Sequence, residues 1–363
     1  MTTQRAEANA GERAATTEAV ALIAVPSGTW RESGNWVTAR RIAQNVAAHG
    51  WRAEACPADR LAARVAQGGV RVLHAIHARK SGVEVARVAA EAGLPYVVTC
   101  SGTDLAVDLA QPEAGHAIRR AVRGAFAVTV FHEAAAKVVR AALPDAADRL
   151  LQIAPGIEEL PGQADRAGFG LSEDEFVLLL PAGLRAVKRP DYAIAPLDRL
   201  RERYPEIRFV IAGPVLEEAA GQTLRRLAAE RPWTRWLGGV PRERMGALYR
   251  SADVVLNTSV HEGLSNAVME AMRIGRPLLL ADNAGNRAAA SADALYFKTP
   301  DDFLAGAERL VHDPWLRRRV GHAARLRAMR LFSVEREAAH YAELYAWARD
   351  SGAGEAAACD GER

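Results

Sequence analysis

Two carboxylates stand eight residues apart in the run His261-Glu262-Gly263-Leu264-Ser265-Asn266-Ala267-Val268-Met269-Glu270. A carboxylate accepts two hydroxyl hydrogen bonds at once, which suits the vicinal hydroxyls of a sugar or a ribose. The run follows an apolar segment at 253–257 and opens onto a helical pattern. Gly263, Leu264, Ser265 and Asn266 therefore fall at a helix N-terminus. Free backbone N–H groups and the positive dipole end suit a phosphate there, contributing about 0.3–1 kcal/mol when exposed and about 2 when partly buried. One reading holds a sugar at Glu262 and a ribose at Glu270. The competing reading is a helix with Ser265 as N-cap and Glu270 on a solvated face.

A second cluster is Gly183-Leu184-Arg185-Ala186-Val187-Lys188-Arg189-Pro190, just after an apolar run at 176–180. Arg185 and Lys188 could neutralise a diphosphate, each charge-assisted hydrogen bond being worth about 1.5–3 kcal/mol. The alternative is an ordinary basic turn. In the first half, Ser33-Gly34-Asn35-Trp36-Val37-Thr38-Ala39-Arg40 forms a glycine loop opening a helix. His77 stands at a strand end and could face a cleft as a base or acceptor ligand, or be a satisfied structural histidine. Asp104, after Gly102-Thr103, could touch donor or acceptor, or cap the next turn. His74, His132 and His261 are weaker candidates. Cys100 reads as an inert strand residue, and Trp233 and Trp236 as packing groups.

These residues need elements to carry them. The continuous apolar run at 20–25 reads as a buried parallel strand, and short β-type runs at 70–76, 95–100, 125–131 and 150–154 read as the strands that follow it. Helical stretches at 36–49 and 83–92 alternate with them, ended by Gly50 and Gly93. Pro155-Gly156, Pro161-Gly162 and Gly168 crowd into a short acidic segment that reads as a domain boundary. The pattern then restarts with strands at 176–180, 208–212, 253–257 and 277–281 and a helix at 192–203. An Arg/Ala-rich helical region covers 301–348. Strands alternating with helices give parallel βαβ units, here two doubly wound sheets facing across a cleft.

Composition excludes several classes. Lys plus Arg is 47 against 44 Asp plus Glu, a net charge of +3, too even a balance for a nucleic-acid binder. No long run of apolar residues is free of charge, so no spanning helix is expected. Cys56, Cys100 and Cys359 form neither a disulfide framework nor a paired metal spacing, which fits a reducing cytoplasm. Residues 1–18 lack the apolar core of a signal peptide, and 1–18 and 351–363 both read as disordered tails.

The run from Glu262 to Glu270 resembles the Glu-x7-Glu motif of the family 4 glycosyltransferases, and Arg185 and Lys188 resemble that family's donor-diphosphate ligands. The resemblance runs from about Val20 to Tyr345. It implies a GT-B fold, with a Rossmann-like acceptor domain at 19–160, a Rossmann-like donor domain at 170–332, and a helix at 333–350 crossing back onto the first domain. It also implies retaining, metal-independent transfer from a nucleotide sugar, UDP-glucose or UDP-N-acetylglucosamine, with no other cofactor. Glu270 would hold the ribose and Glu262 the donor sugar. Gly263, Leu264 and Ser265 would offer backbone N–H groups, with Gly34 and Asn35 beside the donor and Arg185 and Lys188 on the diphosphate. Thr38, His77, Thr103, Asp104 and Asn266 would line the substrate. Glu262, Arg185, Lys188 and Asp104 would be the catalytic set.

Gly34-Asn35 with Thr38-Ala39-Arg40, Leu73 to Ser81, Gly102-Thr103-Asp104-Leu105, Arg235-Trp236-Leu237-Gly238 and Gly285-Asn286 narrow the resemblance. They look like a subgroup holding the glycosyltransferase 1 domain-containing proteins and the selenosugar synthases of selenoneine biosynthesis. For the latter, the implied acceptor is selenophosphate. Two departures stand out. Ser101 occupies a position where many family 4 enzymes carry histidine, and the chain reads Glu-Gly-Leu-Ser where the selenosugar synthases tend towards Glu-Gly-Gly-Ala. A small-molecule glycosyltransferase is thus the expectation. A selenosugar synthase, a noncatalytic nucleotide-sugar-binding protein and a nucleotide-sugar epimerase are the alternatives, and oligomeric state is not legible.

Overall fold

The computed structural model describes residues 20–28 and 33–360. Two six-stranded, all-parallel sheets follow one another. The first has strands β1 (Val20–Val25), β2 (Arg52–Pro57), β3 (Val70–Ile76), β4 (Tyr96–Cys100), β5 (Ala127–Val130) and β6 (Leu150–Gln152) in the order β2-β1-β3-β4-β5-β6. The second has β7 (Phe176–Pro181), β8 (Ile207–Ala212), β9 (Thr234–Trp236), β10 (Val254–Asn257), β11 (Leu278–Ala281) and β12 (Leu295–Phe297) in the order β12-β11-β10-β7-β8-β9.

The strand order locates the site. In an open parallel sheet ligands bind beyond the strand carboxyl ends where the order reverses. The first sheet reverses between β1 and β3, and the second between β7 and β10. The loops after these four strands carry the Gly34 segment, His77, the Arg185 segment and the Glu262 segment. The central strands are apolar on both faces because helices cover both. Leu22, Leu73, Val98 and Val128 pack on one side of the first sheet, and Ile23, Val72, Ile76 and Val97 on the other.

Three edge strands were not expected. β2 reads Arg-Ala-Glu-Ala-Cys-Pro, half-buried and lacking a continuous apolar run, while β9 and β12 are three residues each. The first helix runs Gly34–Asn45, two residues earlier than its periodicity indicates, and ends in one 3-10 turn capped by left-handed Gly50. The final helix continues from Val334 to Asp360, so the stretch expected as a C-terminal tail is helical through Asp360. The tail expected at 1–18, and residues 361–363, lie outside the described residues.

That final helix lies on the first sheet. Ala338, Tyr341, Ala342, Leu344, Tyr345 and Ala348 join the core formed with Ile23, Ile42, Val72 and Trp51. His74 on β3 bonds the Tyr345 hydroxyl at 2.7 Å and Thr99 at 2.6 Å, and burial pushes its pKa down to about 3. Arg41 and Glu337 form a buried two-bond pair at 2.6 and 2.9 Å. The outgoing and returning chains also touch. The Ile157 N–H donates to the Phe332 carbonyl at 3.0 Å, and a Cβ on Gly156 would stand 2.5 Å from Val334 Cα.

Candidate functional site

A cleft of about 460 Å³ separates the two sheets at their carboxyl ends. This lies within the usual range for small-molecule sites, about 300–1,000 Å³. From the first half Gly34, Asn35, Thr38, His77, Lys80 and Thr103 line it. From the second half come Arg185, Lys188, Arg242, Tyr249 and the segment from His261 to Ala267 with Glu270.

Strand β10 ends in Asn257, and the turn after it delivers Glu262 before the helix Asn266–Ile274 begins. Three donors converge on one oxygen of Glu262. Lys188 Nζ donates to Oε1 at 2.6 Å, Ser259 Oγ at 2.7 Å and Asn257 Nδ2 at 2.9 Å. Oε2 has no hydrogen-bond partner among the described residues. Burial pushes the carboxyl pKa up, but Lys188, Asn257 and Ser259 outweigh it, so the group stays below the ordinary carboxylate value. Asn257 is itself held, because Asn286 Nδ2 donates to its Oδ1 at 3.1 Å and to the Ala281 carbonyl at 2.9 Å.

Glu270 lies within the same helix and is only 7% exposed, which removes the solvated-face alternative. Arg242 Nη1 donates to its Oε1 at 2.8 Å and the Tyr249 hydroxyl to its Oε2 at 2.9 Å. Each oxygen keeps a lone pair for a ligand, since a carboxylate has about four acceptor sites. Burial disfavours the Arg242 charge, yet Glu270 and Glu158 hold its pKa above the ordinary value. Through Nη2, 2.9 Å from Glu158, this arginine also ties Glu270 to the segment joining the two sheets.

Ser265 stands at the N-cap position of the Asn266 helix, but its side chain makes no cap bond, and the first turn carries no acidic residue. The positive helix end is therefore open to an anion. Arg185 lies opposite, its Nε buried without a hydrogen-bond partner among the described residues. Lys188 sits in the cleft as expected, but here it is bonded to Glu262.

The first-half residues divide differently. Asp104 is a correction: it is fully buried and absent from the cleft lining. Its carboxylate accepts from the backbone N–H groups of Ala78, Ser101, Gly102 and Leu105 at 2.8–3.1 Å, so it shapes the loop instead of touching a ligand. His77 does line the cleft, with a left-handed backbone at φ 85°. Its Nδ1 accepts from the Lys80 N–H at 3.2 Å, which leaves the proton on Nε2, 3.2 Å from Thr103 Oγ1. Burial, against the pull of Asp104, lowers its pKa. A neutral imidazole whose basic nitrogen is already occupied is no general base in this arrangement. Thr38 is 5% exposed and its hydroxyl has no partner among the described residues.

The two halves meet through backbone. A Cβ on Gly102, at φ 136°, would lie 2.7 Å from Gly263 N, and one on Gly263 would lie 2.3 Å from the Ser101 carbonyl. Only glycines allow this approach. Asn266 Nδ2 reaches the Gly34 carbonyl at 3.3 Å across the same boundary. His132, whose Nδ1 accepts from the Ala135 N–H, also lies by Gly263; burial lowers its pKa and the Gly263 backbone opposes that.

Arg242, Tyr249, Ser259 and Lys80 were not found from sequence. Asn257 had a readable signal, a polar residue closing an apolar strand.

Residues 162–327 match the family described as Glycosyl transferases group 1. Glycosyltransferase 1 domain-containing protein 1 of Xenopus tropicalis is 25% identical over 237 residues, covering 62% of this chain and 69% of that protein. The D-inositol 3-phosphate glycosyltransferase of Kribbella flavida is 31% identical over 175 residues, 44% of this chain and 41% of that one. The chain thus spans about two thirds of one relative and less than half of the other. Among solved structures, Anabaena HepE in complex with UDP and glucose superposes with a TM-score of 0.76 at 18% identity, over 90% of this chain and 99% of that one. Sucrose-phosphate synthase from Thermosynechococcus elongatus gives 0.76 at 17%, over 91% and 98%. The architecture is GT-B, and the second half of the chain matches the glycosyltransferase group 1 family.

Proposed function

We propose that this chain transfers a sugar from a nucleoside-diphosphate sugar of the UDP-glucose or UDP-N-acetylglucosamine kind to a small acceptor, with retention at the anomeric carbon. The observation that carries the reading is the meeting in one cleft of Glu262, Glu270, Arg185, Lys188 and an uncapped helix end. Glu270 has lone pairs for the ribose hydroxyls, and Glu262 Oε2 for a sugar hydroxyl. Departure of the diphosphate builds negative charge. Arg185, Lys188 and the N–H groups of Gly263 to Ser265 are placed to stabilise that charge as it forms. With those cations present the reading assigns no metal. It also assigns no strong general base, the leaving phosphate taking the acceptor proton on the same face, and His77 with its occupied Nδ1 fits that. UDP and glucose in the HepE complex support the donor class, and the Kribbella relative's name supports glycosyl transfer.

The acceptor side favours a small anion. Lys80 lines it with an ammonium that has no partner among the described residues, and the uncapped end of the Gly34–Asn45 helix lies beside it. Selenophosphate, expected from the subgroup resemblance, belongs to this class. The free thiols Cys56 and Cys100 support a reducing, cytoplasmic setting. Among the described residues no helix is long and apolar enough to cross a membrane.

Mass spectrometry of products tests the reading. Incubation with either UDP-sugar, with and without selenophosphate or a sugar phosphate, should give acceptor-dependent UDP release that Arg185→Ala with Lys188→Ala abolishes. UDP-sugars that raise the melting temperature but are never turned over would leave a binding protein. A free 2-epimeric sugar would indicate an epimerase.

A further inference from the structure

The helix Pro314–Leu331 has an ordinary inner face and an unusual outer one. Leu316, Val320, Ala324 and Ala328 are buried, and Gly321 meets the backbone of Gly275 at the end of the Asn266 helix. That face satisfies the core. Yet Trp315, Leu326 and Met329 are 75%, 54% and 50% exposed. At 3.6 residues per turn these three fall within about 60° of one line along the helix. A solvated face does not need such a row.

The row is bordered by cations. Arg318 and Arg325 lie on one side of it and Arg319 and Arg330 on the other, and the helix contains no acidic residue. None of these four guanidinium groups has an ion pair among the described residues. Several exposed arginines elsewhere do, among them Arg87 with Glu84 and Glu91, Arg140 with Glu133, Arg225 with Glu218 and Arg203 with Glu308. Arg318 instead stands over the Trp315 ring, 5.4 Å from its centroid.

We infer that this face of the Pro314–Leu331 helix docks on an anionic lipid surface. Trp315, Leu326 and Met329 enter the boundary between headgroups and acyl chains, and the flanking arginines lie along it with their guanidinium groups on lipid phosphates. Charge complementarity selects the occupant, and the apolar row selects lipid over nucleic acid, whose phosphates would leave Leu326 and Met329 in water. The helix lies outside the catalytic cleft, so docking leaves the cleft free.

Flotation of the full chain with vesicles tests this, using phosphatidylcholine alone and phosphatidylcholine mixed with an equal part of phosphatidylglycerol. Binding should occur only to the mixed vesicles and disappear at about 1 M salt, where the Debye length is about 3 Å. Arg318→Glu with Arg325→Glu should lower partitioning at least about 25-fold, at about fivefold for each charge removed. Trp315→Ala with Leu326→Ala should also weaken it, while melting temperature and turnover of soluble substrates stay unchanged, since all four positions are exposed. Failure of the wild-type chain to float, equal flotation of the variants, or tighter binding to duplex DNA through the same arginines would overturn the inference. Vesicle binding is read without any turnover, so this outcome is independent of the transferase reading.

Discussion

Replacing Asn257 by aspartate tests how Glu262 is presented. The amide Nδ2 lies 2.9 Å from Glu262 Oε1, while its Oδ1 accepts from Asn286 and from the Ser259 N–H at 3.1 Å. Asn257→Asp keeps the shape and the two accepting contacts but sets two carboxyls against each other. At about 3 Å and an effective dielectric of about 20, two full charges repel by about 5 kcal/mol, near four pKa units. Lys188 attracts both and offsets part of this, so the pair holds one shared proton into a range above the ordinary carboxylate values. While protonated, the new carboxyl donates to Glu262 as the amide did. Above that range Glu262 faces a second anion. The pH profile of kcat/KM for donor-dependent UDP release should therefore gain an alkaline limb that the wild type lacks, while UDP affinity, proposed to rest on Glu270, stays within about twofold. A variant profile that merely runs parallel to the wild-type one would refute the positioning of Glu262 by Asn257.

Glu270→Ala should weaken UDP-sugar binding at least tenfold, about 1.4 kcal/mol, by calorimetry; unchanged affinity would remove Glu270 from the ribose site. Gly102→Ala places a Cβ against Gly263 N at an unfavourable φ, strain on the order of 1–3 kcal/mol. It should lower kcat tenfold or more while UDP binding to the second sheet persists, and equal losses in both would contradict a role confined to the meeting of the two halves. His74, with its folded pKa pushed down to about 3 from 6.5, is neutral when folded but takes up a proton on unfolding. Its contribution to stability is complete above about pH 6.5 and falls by about 1.4 kcal/mol per pH unit as pH drops towards 3. His74→Gln should flatten the fall in melting temperature between about pH 6.5 and 5, above the carboxylate range, and a fall of undiminished slope would assign it to other groups.

Legibility followed burial. Strands such as β1, β7 and β11 are apolar along nearly their whole length because helices cover both faces, so the sequence displays them directly. Edge strands have one unpaired side, and β2, with its arginine and glutamate, and β9 and β12, three residues each, lacked that signature. The Glu262 to Glu270 run was legible because its spacing is local to one loop and helix. Asp104 takes the capping role of its two alternatives, because a carboxylate near a strand end satisfies backbone N–H groups as readily as a ligand, and only the loop path decides between them. Arg242, Tyr249 and Asn286 reach the site from separate elements, and no spacing along the chain encodes that convergence. The buried Arg41–Glu337 pair has the same cause.

That pair has a consequence for how the protein is made. Its partners are 296 residues apart. At about 5–20 residues per second a ribosome needs roughly 15–60 s to travel from one to the other. Through that interval the first sheet has emerged with one flank bare, awaiting Tyr341 and Tyr345, while the whole second sheet is synthesised and free to fold. The order of maturation is thus inverted relative to the order of translation: the second half completes first, and the amino-terminal half is sealed last. A nascent chain stalled before Val334 would expose Ile23, Val72 and Val97, a surface for chaperones to hold until the final helix arrives.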